Sequence, residues 1–260
     1  MKLKFLLLFL CISSVAFAND NDWFWGQTGH RVVGEIAAQN LTNKAKRNIE
    51  KLLGPEGLAM VSTFADDIKS DRKYDSYRTW HYVNFEDGET YAESEKNPLG
   101  DLITGIEKCK QVILDPNASQ KSKVFYLKML VHLIGDLHQP LHVGRGSDRG
   151  GNNIKVKWFG RDTNLHAVWD SRMLESFGMT YSELSSNLNK FSKAQIAAIQ
   201  QGTTEDWVQE VRVITTEVYK SAISGDELSY RYNYDHIDTL KSQLQKGGLR
   251  LAKVLNDLFG

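Results

Sequence analysis

Residues 119–142 read SQKSKVFYLKMLVHLIGDLHQPLH. Val124, Phe125, Leu127, Leu130, Val131 and Ile134 recur at helical spacing, and Pro140 closes the run. His132 and Asp136 stand four apart within it, so a helix puts them on one face. Leu130, Val131, Leu133 and Ile134 surround that carboxylate with hydrocarbon, where an unpaired charge is costly. His142 follows just beyond the turn at Pro140. Imidazole and carboxylate are the donor types that zinc accepts, at roughly 2.0–2.2 Å.

The helical period extends outward in both directions. It runs from Gly29 to Leu53 until Gly54-Pro55 stops it, and from Pro98 to Leu114 until Asp115-Pro116. Two more long amphipathic stretches occupy 204–223 and 229–259. Ile154, Val156 and Trp158 alternate with Lys155 and Lys157, which predicts a strand over 153–159 after a glycine-rich loop at 144–153. His166 and Asp170 repeat the four-residue spacing in a second predicted helix. With no linker, repeat or low-complexity tract, the chain is expected to be all-α: a single mostly helical domain with a short β-hairpin.

Composition narrows the class. In 260 residues, 32 basic groups balance 32 acidic ones and 41% are hydrophobic, as in an ordinary globular protein. Lys2 and Lys4, an apolar run from Phe5 to Val15, and Ala16-Phe17-Ala18 form an export signal over 1–18. That run is too short to span a bilayer, and no longer one follows. Its removal takes Lys2 and Lys4 from the basic count and leaves a domain at 19–260 without the charge of a nucleic-acid-coating protein. Cys11 leaves with the signal, so Cys109 has no partner for an intramolecular disulfide. These features predict an exported protein, periplasmic or secreted, monomeric and without stable membrane association.

Several segments together resemble the S1/P1 nuclease family. Trp25-Gly26 with Gly29-His30 is similar to its opening motif, and Ala65-Asp66 and Trp80-His81-Tyr82 to the next two elements. Val131-His132 through Gly135-Asp136 to His142 resembles its central segment, followed by Gly150-Gly151-Asn152. Asn164-Leu165-His166 with Val168-Trp169-Asp170 resembles its last metal motif, and Gly248 to Asn256 its closing helix.

The resemblance implies a helical fold of the S1/P1 nuclease–phospholipase C type, holding three zinc ions. It implies cleavage of single-stranded RNA and DNA to 5′-phosphorylated products, and removal of phosphate from 3′-nucleotides. Asp66, His81, His132 and Asp136 would hold one zinc. Asp136 would bridge to a second, held by His30 and by the amino nitrogen and carbonyl oxygen of Trp25. His142, His166 and Asp170 would hold the third. Asp66 would orient the attacking water, and Lys69 stands where the family carries an arginine. Lysine supplies the charge without the bidentate fork. Tyr82, Asn84 and Asn152 would contact substrate, Tyr82 by stacking on a base. His138 and His236 are left for structural duty. A zinc phospholipase C and a non-catalytic zinc-binding exported protein are the competing readings.

Overall fold

The computed structural model describes residues 26–260. The export signal and the Trp25 ligand expected from the sequence lie outside them. The stripe expected over 29–53 is two helices, α1 (Gln27–Gln39) and α2 (Asn43–Leu53). Asn40 and Thr42 make the break, because short polar side chains compete for backbone groups. The Asn40 amide donates to Ile36 O at 2.8 Å, and Thr42 Oγ1 accepts from Ala45 N as the cap of α2.

Two short helices follow, α3 (Leu58–Val61) and α4 (Phe64–Asp67), and then two 3-10 turns, Ile68–Ser70 and Arg72–His81. α5 (Leu102–Leu114) opens on a capping box between Asp101 and Thr104. α6 (Gln120–Leu137) starts at the Ser119 cap and carries the quoted stretch. Every residue from Met129 to Leu137 is buried, so the last turns of α6 are enclosed on all sides. α1, α5 and the final helix pack around it. Leu127, Leu130, Leu133, Ile134 and Leu137 are fully buried, each worth roughly 1.5–3 kcal/mol relative to exposure.

A 3-10 turn at Pro140–Val143 leads through the glycine-rich loop to strands β1 (Lys155–Trp158) and β2 (Arg161–Asn164). They pair antiparallel, Lys155 opposite Asn164, across a two-residue turn. Phe159 and Gly160 both have positive φ there, as such hairpins require. A third strand, β3 (Glu227–Leu228), pairs parallel to β1 on its other edge. Its two residues are too few to show alternation in sequence. The hairpin feeds α7 (Leu165–Ala167), capped by Asn164, then a π-helical turn at Val168–Arg172. After it come α8 (Met173–Phe177), α9 (Tyr181–Asn187), α10 (Lys193–Ile199), α11 (Thr204–Lys220) and α12 (Tyr230–Phe259). The mostly helical domain read from the sequence is therefore present, with one small sheet.

α12 lies against α1 at close range because Gly248 lacks a side chain. A Cβ there would stand 2.5 Å from Ile36 Cβ and 3.1 Å from Val33 O. Gly248→Ala is expected to force the helices apart and cost about 1–3 kcal/mol, read as a lowered melting temperature.

Candidate metal centre

Six separate segments send side chains to one place: α1 His30, α4 Asp66, the end of the 72–81 turn His81, α6 His132 and Asp136, the 140–143 turn His142, and the 165–172 segment His166 and Asp170. Of these, only Asp66 is not among the buried residues. Asp66 Oδ1 lies 3.6 Å from His81 Nδ1 and 3.4 Å from His132 Nε2. Those nitrogens are 3.1 Å apart, and stand 2.9 and 3.0 Å from Asp136 Oδ2. Donors at the corners of a zinc tetrahedron are about 3.3 Å apart when each bond is roughly 2.0 Å. These five separations, 2.9–3.6 Å, bracket that spacing.

His30 Nε2 and His142 Nδ1 approach the other Asp136 oxygen, at 3.4 and 3.1 Å. His142 Nε2 lies 3.4 Å from Asp170 Oδ1, and His166 Nε2 3.9 Å from Asp170 Oδ2. Three groups of donors with all ligand atoms within 4.8 Å result: His30, Asp66 and His132; His81, His132 and Asp136; and His142, His166 and Asp170. His142 thus links the two carboxylates. Spacing along the chain does not reveal that it also faces Asp136.

The donors are pointed by their unshared ends. His132 Nδ1 meets Ser62 O at 2.7 Å and His166 Nδ1 meets Gly150 O at 2.8 Å. A carbonyl only accepts, so each Nδ1 carries a proton and Nε2 is the nitrogen left to ligate a metal. Asp136 Oδ1 and Oδ2, Asp170 Oδ2 and His142 Nδ1 are buried and, close as other donors stand, make no hydrogen bond of good geometry among the described residues. Buried polar atoms normally have partners, and these converge as ligands do. The donor set therefore fits metal ions.

Charge inside the cluster is set by competition. Burial would raise the carboxyl of Asp136, yet the charges of His132 and His142 hold it well below its ordinary range. Burial would lower His142, yet the Asp136 charge pushes it up to about 10. Burial and then the Lys69 charge press His81 down to about 4, and burial lowers His30 and His166 too. The carboxylates thus favour protons on His142 and His132, at the place a bound cation would take.

The cluster opens on a cleft of about 870 Å³, lined among others by Asp66, Lys69, Tyr82, Asn84 and Asn152. Lys69 Nζ donates to Asp66 Oδ1 at 2.9 Å. Tyr82, beside the partly buried Trp80, is 39% exposed at the cleft. Asn84 Oδ1 has no hydrogen-bond partner among the described residues, whereas the Asn152 amide donates to Arg149 O and steadies its loop. His138 donates through Nδ1 to Ile134 O and faces Arg250 Nη1 at 3.1 Å with Nε2. Both its nitrogens are spent away from the cluster. His236 packs between Trp169 and Tyr232. Two features were not read from the sequence. Gln139 Nε2 donates to Asp170 Oδ1 at 3.0 Å, and Arg78 lines the cleft. The signal for Arg78 was its place three residues before His81.

Fold and site together are those of a helical protein carrying a preassembled cluster of metal donors. Residues 25–260 match the S1/P1 Nuclease family, and the chain belongs to it, a family of hydrolases acting on ester bonds. Endonuclease 2 of Arabidopsis thaliana is 29% identical over 94% of this chain and 93% of its own length. Endonuclease 4 of the same plant is 30% identical over 90% and 89%. Among solved structures, the Clostridium perfringens alpha-toxin is similar with a TM-score of 0.47 at 17% identity. The match covers 92% of this chain but 64% of the toxin, under two thirds of it.

Gly135 is what lets His30 approach. A Cβ on Gly135 would stand 2.7 Å from His30 Nδ1. Gly135→Ala is expected to push the ring aside, so the purified variant should bind less zinc than the parent while keeping its helix content, measured by metal analysis and circular dichroism.

Proposed function

We propose that this protein is a zinc-dependent phosphodiesterase that cleaves single-stranded RNA and DNA to 5′-phosphorylated products and also removes phosphate from 3′-nucleotides. The observation that carries the reading is the convergence of buried imidazole and carboxylate donors on a cleft that also holds Lys69 and Tyr82. The endonuclease names of the relatives favour it over a phospholipase C or a non-catalytic zinc binder.

Asp66, His81, His132 and Asp136 would hold one zinc; Asp136, His30 and the amine and carbonyl of Trp25 a second; His142, His166 and Asp170 a third. Zinc in such sites polarises phosphoryl oxygens and brings the pKa of water from 15.7 to about 7. Asp66 accepts a hydrogen of the attacking water and fixes its direction. The Lys69 ammonium, beside Asp66, offsets charge that builds on the phosphoryl group. Tyr82 stacks on a base, worth about 1–3 kcal/mol. Asn84 can both donate to and accept from a base edge, and Asn152 lines the same cleft. A base must leave its duplex stack to lie on Tyr82, which favours single strands. Residues 1–18 would direct export to the periplasm or medium, and the monomer would act without stable membrane association. No described helix is long and apolar enough to cross a membrane.

Zinc-loaded protein should hydrolyse single-stranded RNA and DNA, leave 5′-phosphates, and spare phosphatidylcholine. Chelation should abolish turnover and lower the melting temperature together, because the ligands join six segments. Zinc binding without any phosphate-ester hydrolysis would support the non-catalytic reading, and release of phosphocholine the phospholipase.

The second zinc makes a separate demand. A free α-amine, with an ordinary pKa near 7.7–8.0, loses its proton at little cost, whereas an amide does not. Gly26 N is anchored to Asp170 O at 2.6 Å, so the chain enters the domain beside the cluster. Protein beginning at Trp25 is expected to hold three zincs with full activity. Protein beginning at Asn19 should hold fewer, or one loosely, and cleave RNA more slowly. Three tight zincs and undiminished turnover in the longer form would remove the terminal amine from the ligand set.

A further inference from the structure

The cleft wall next to Asp66 is formed by the turns 68–70 and 72–81, and it carries two cations, Lys69 and Arg78. Lys69 is 18% exposed and its ammonium is committed to Asp66. Arg78 is about half exposed and differently held. Residues three apart in a 3-10 helix eclipse one another, so Asp75, Arg78 and His81 form a column along one side of the turn. His81 ends that column in the metal cluster. Arg78 Nε donates to Asp75 Oδ1 at 2.8 Å, and one Nη2 hydrogen goes to Lys69 O at 2.6 Å. A guanidinium has five donors, so these bonds leave three. The plane is fixed at both used edges before any ligand arrives, which lowers the ordering cost of a further bond.

We propose that Arg78, with Lys69, forms a phosphate subsite that grips the sugar–phosphate backbone of the substrate strand and supplies the planar fork Lys69 lacks. The proposal rests on the phosphodiesterase reading of the site. The ligand is a phosphodiester oxyanion, recognised by charge and geometry without reading the base. A residue of this kind contributes to strand affinity more than to the chemical step.

The test uses the zinc-loaded chain and the variants Arg78→Ala, Arg78→Lys and Lys69→Arg/Arg78→Ala. Loss of one charge-assisted contact predicts that Arg78→Ala raises KM for a single-stranded oligonucleotide about tenfold, with a smaller change in kcat. The slope of log KM against log salt should shrink by about 0.7, the share of one phosphate contact on a single strand. Arg78→Lys should recover part of the affinity, and the double variant more, since it returns a guanidinium to the wall. Zinc content should not change. An unaltered KM and salt slope in Arg78→Ala overturns the proposal. So does a loss accompanied by missing zinc that neither Arg78→Lys nor the double variant repairs, since Arg78 would then be only a brace for Lys69 O. Fluorescence anisotropy with a phosphorothioate oligonucleotide separates this from the activity itself. If the parent chain binds but does not cleave, a tenfold weaker Arg78→Ala keeps the subsite while the phosphodiesterase reading falls.

Discussion

Asp136 places a carboxylate, 1% exposed, among the imidazoles of His30, His81, His132 and His142 at 2.9–3.4 Å. A buried charge costs several kcal/mol unless partners compensate it. The partners here come from α1, from the 72–81 turn, from α6 itself and from the 140–143 turn. Local structure near residue 136 supplies only His132 and His142, so the cost is fully met only when α1 and the 72–81 turn have joined them. The long apolar contacts of α6 make that assembly favourable, and the polar cluster fixes its register.

The same constraint explains details that look unrelated. Gly135 is bare because His30 must pass it, and Gly248 is bare because the helix bearing His30 needs α12 close behind. Ser62 and Gly150 offer backbone carbonyls to His132 and His166 from the far side, which turns the lone pairs inward. The hairpin serves the same end, since Asn164 closes β2 and caps the helix that delivers His166. Beneath the end of α6, Arg250 is buried between Glu210 and His138, and with burial it keeps that histidine neutral at a pKa of about 3.

Much of this is legible in the sequence where periodicity and chemistry agree. α5, α6, α11 and α12 end within a few residues of their expected limits; the Asp101, Ser119 and Thr203 caps open the first three, and Pro116 and Pro140 follow α5 and α6. The His132–Asp136 spacing indicates a shared face, and the structure has one. Other features leave no periodic trace. Asn40 to Thr42 divides a continuous apolar stripe by side-chain capping, which hydrophobic spacing does not register. His166 and Asp170 are four apart as expected but lie across a π turn at 168–172, with His166 Nε2 3.9 Å from Asp170 Oδ2 against 3.0 Å in the α-helical pair. β3 depends on a partner some seventy residues away. Arg78 has meaning only once a 3-10 turn aligns it with His81.

A chain with no net charge can still serve a polyanion if the charge in its cleft is conditional. Asp66, Asp136 and Asp170 supply three carboxylates to the cluster, against Lys69, Arg78 and Arg149 along the cleft. These six charges offset one another, and the carboxylates favour protons on His132 and His142. Each divalent ion adds two positive charges at the base of the cleft, and the low-dielectric walls strengthen their effect on a phosphate. Zinc, in the function proposed here, would therefore govern whether the strand binds as well as whether it is cut. Tyr82, in the same proposal, would add an attraction for unstacked bases that charge alone does not give, and duplexes hide those bases. Selectivity for single strands and dependence on metal would then share one origin, a cleft that attracts phosphate only when loaded and holds only a strand whose bases are free.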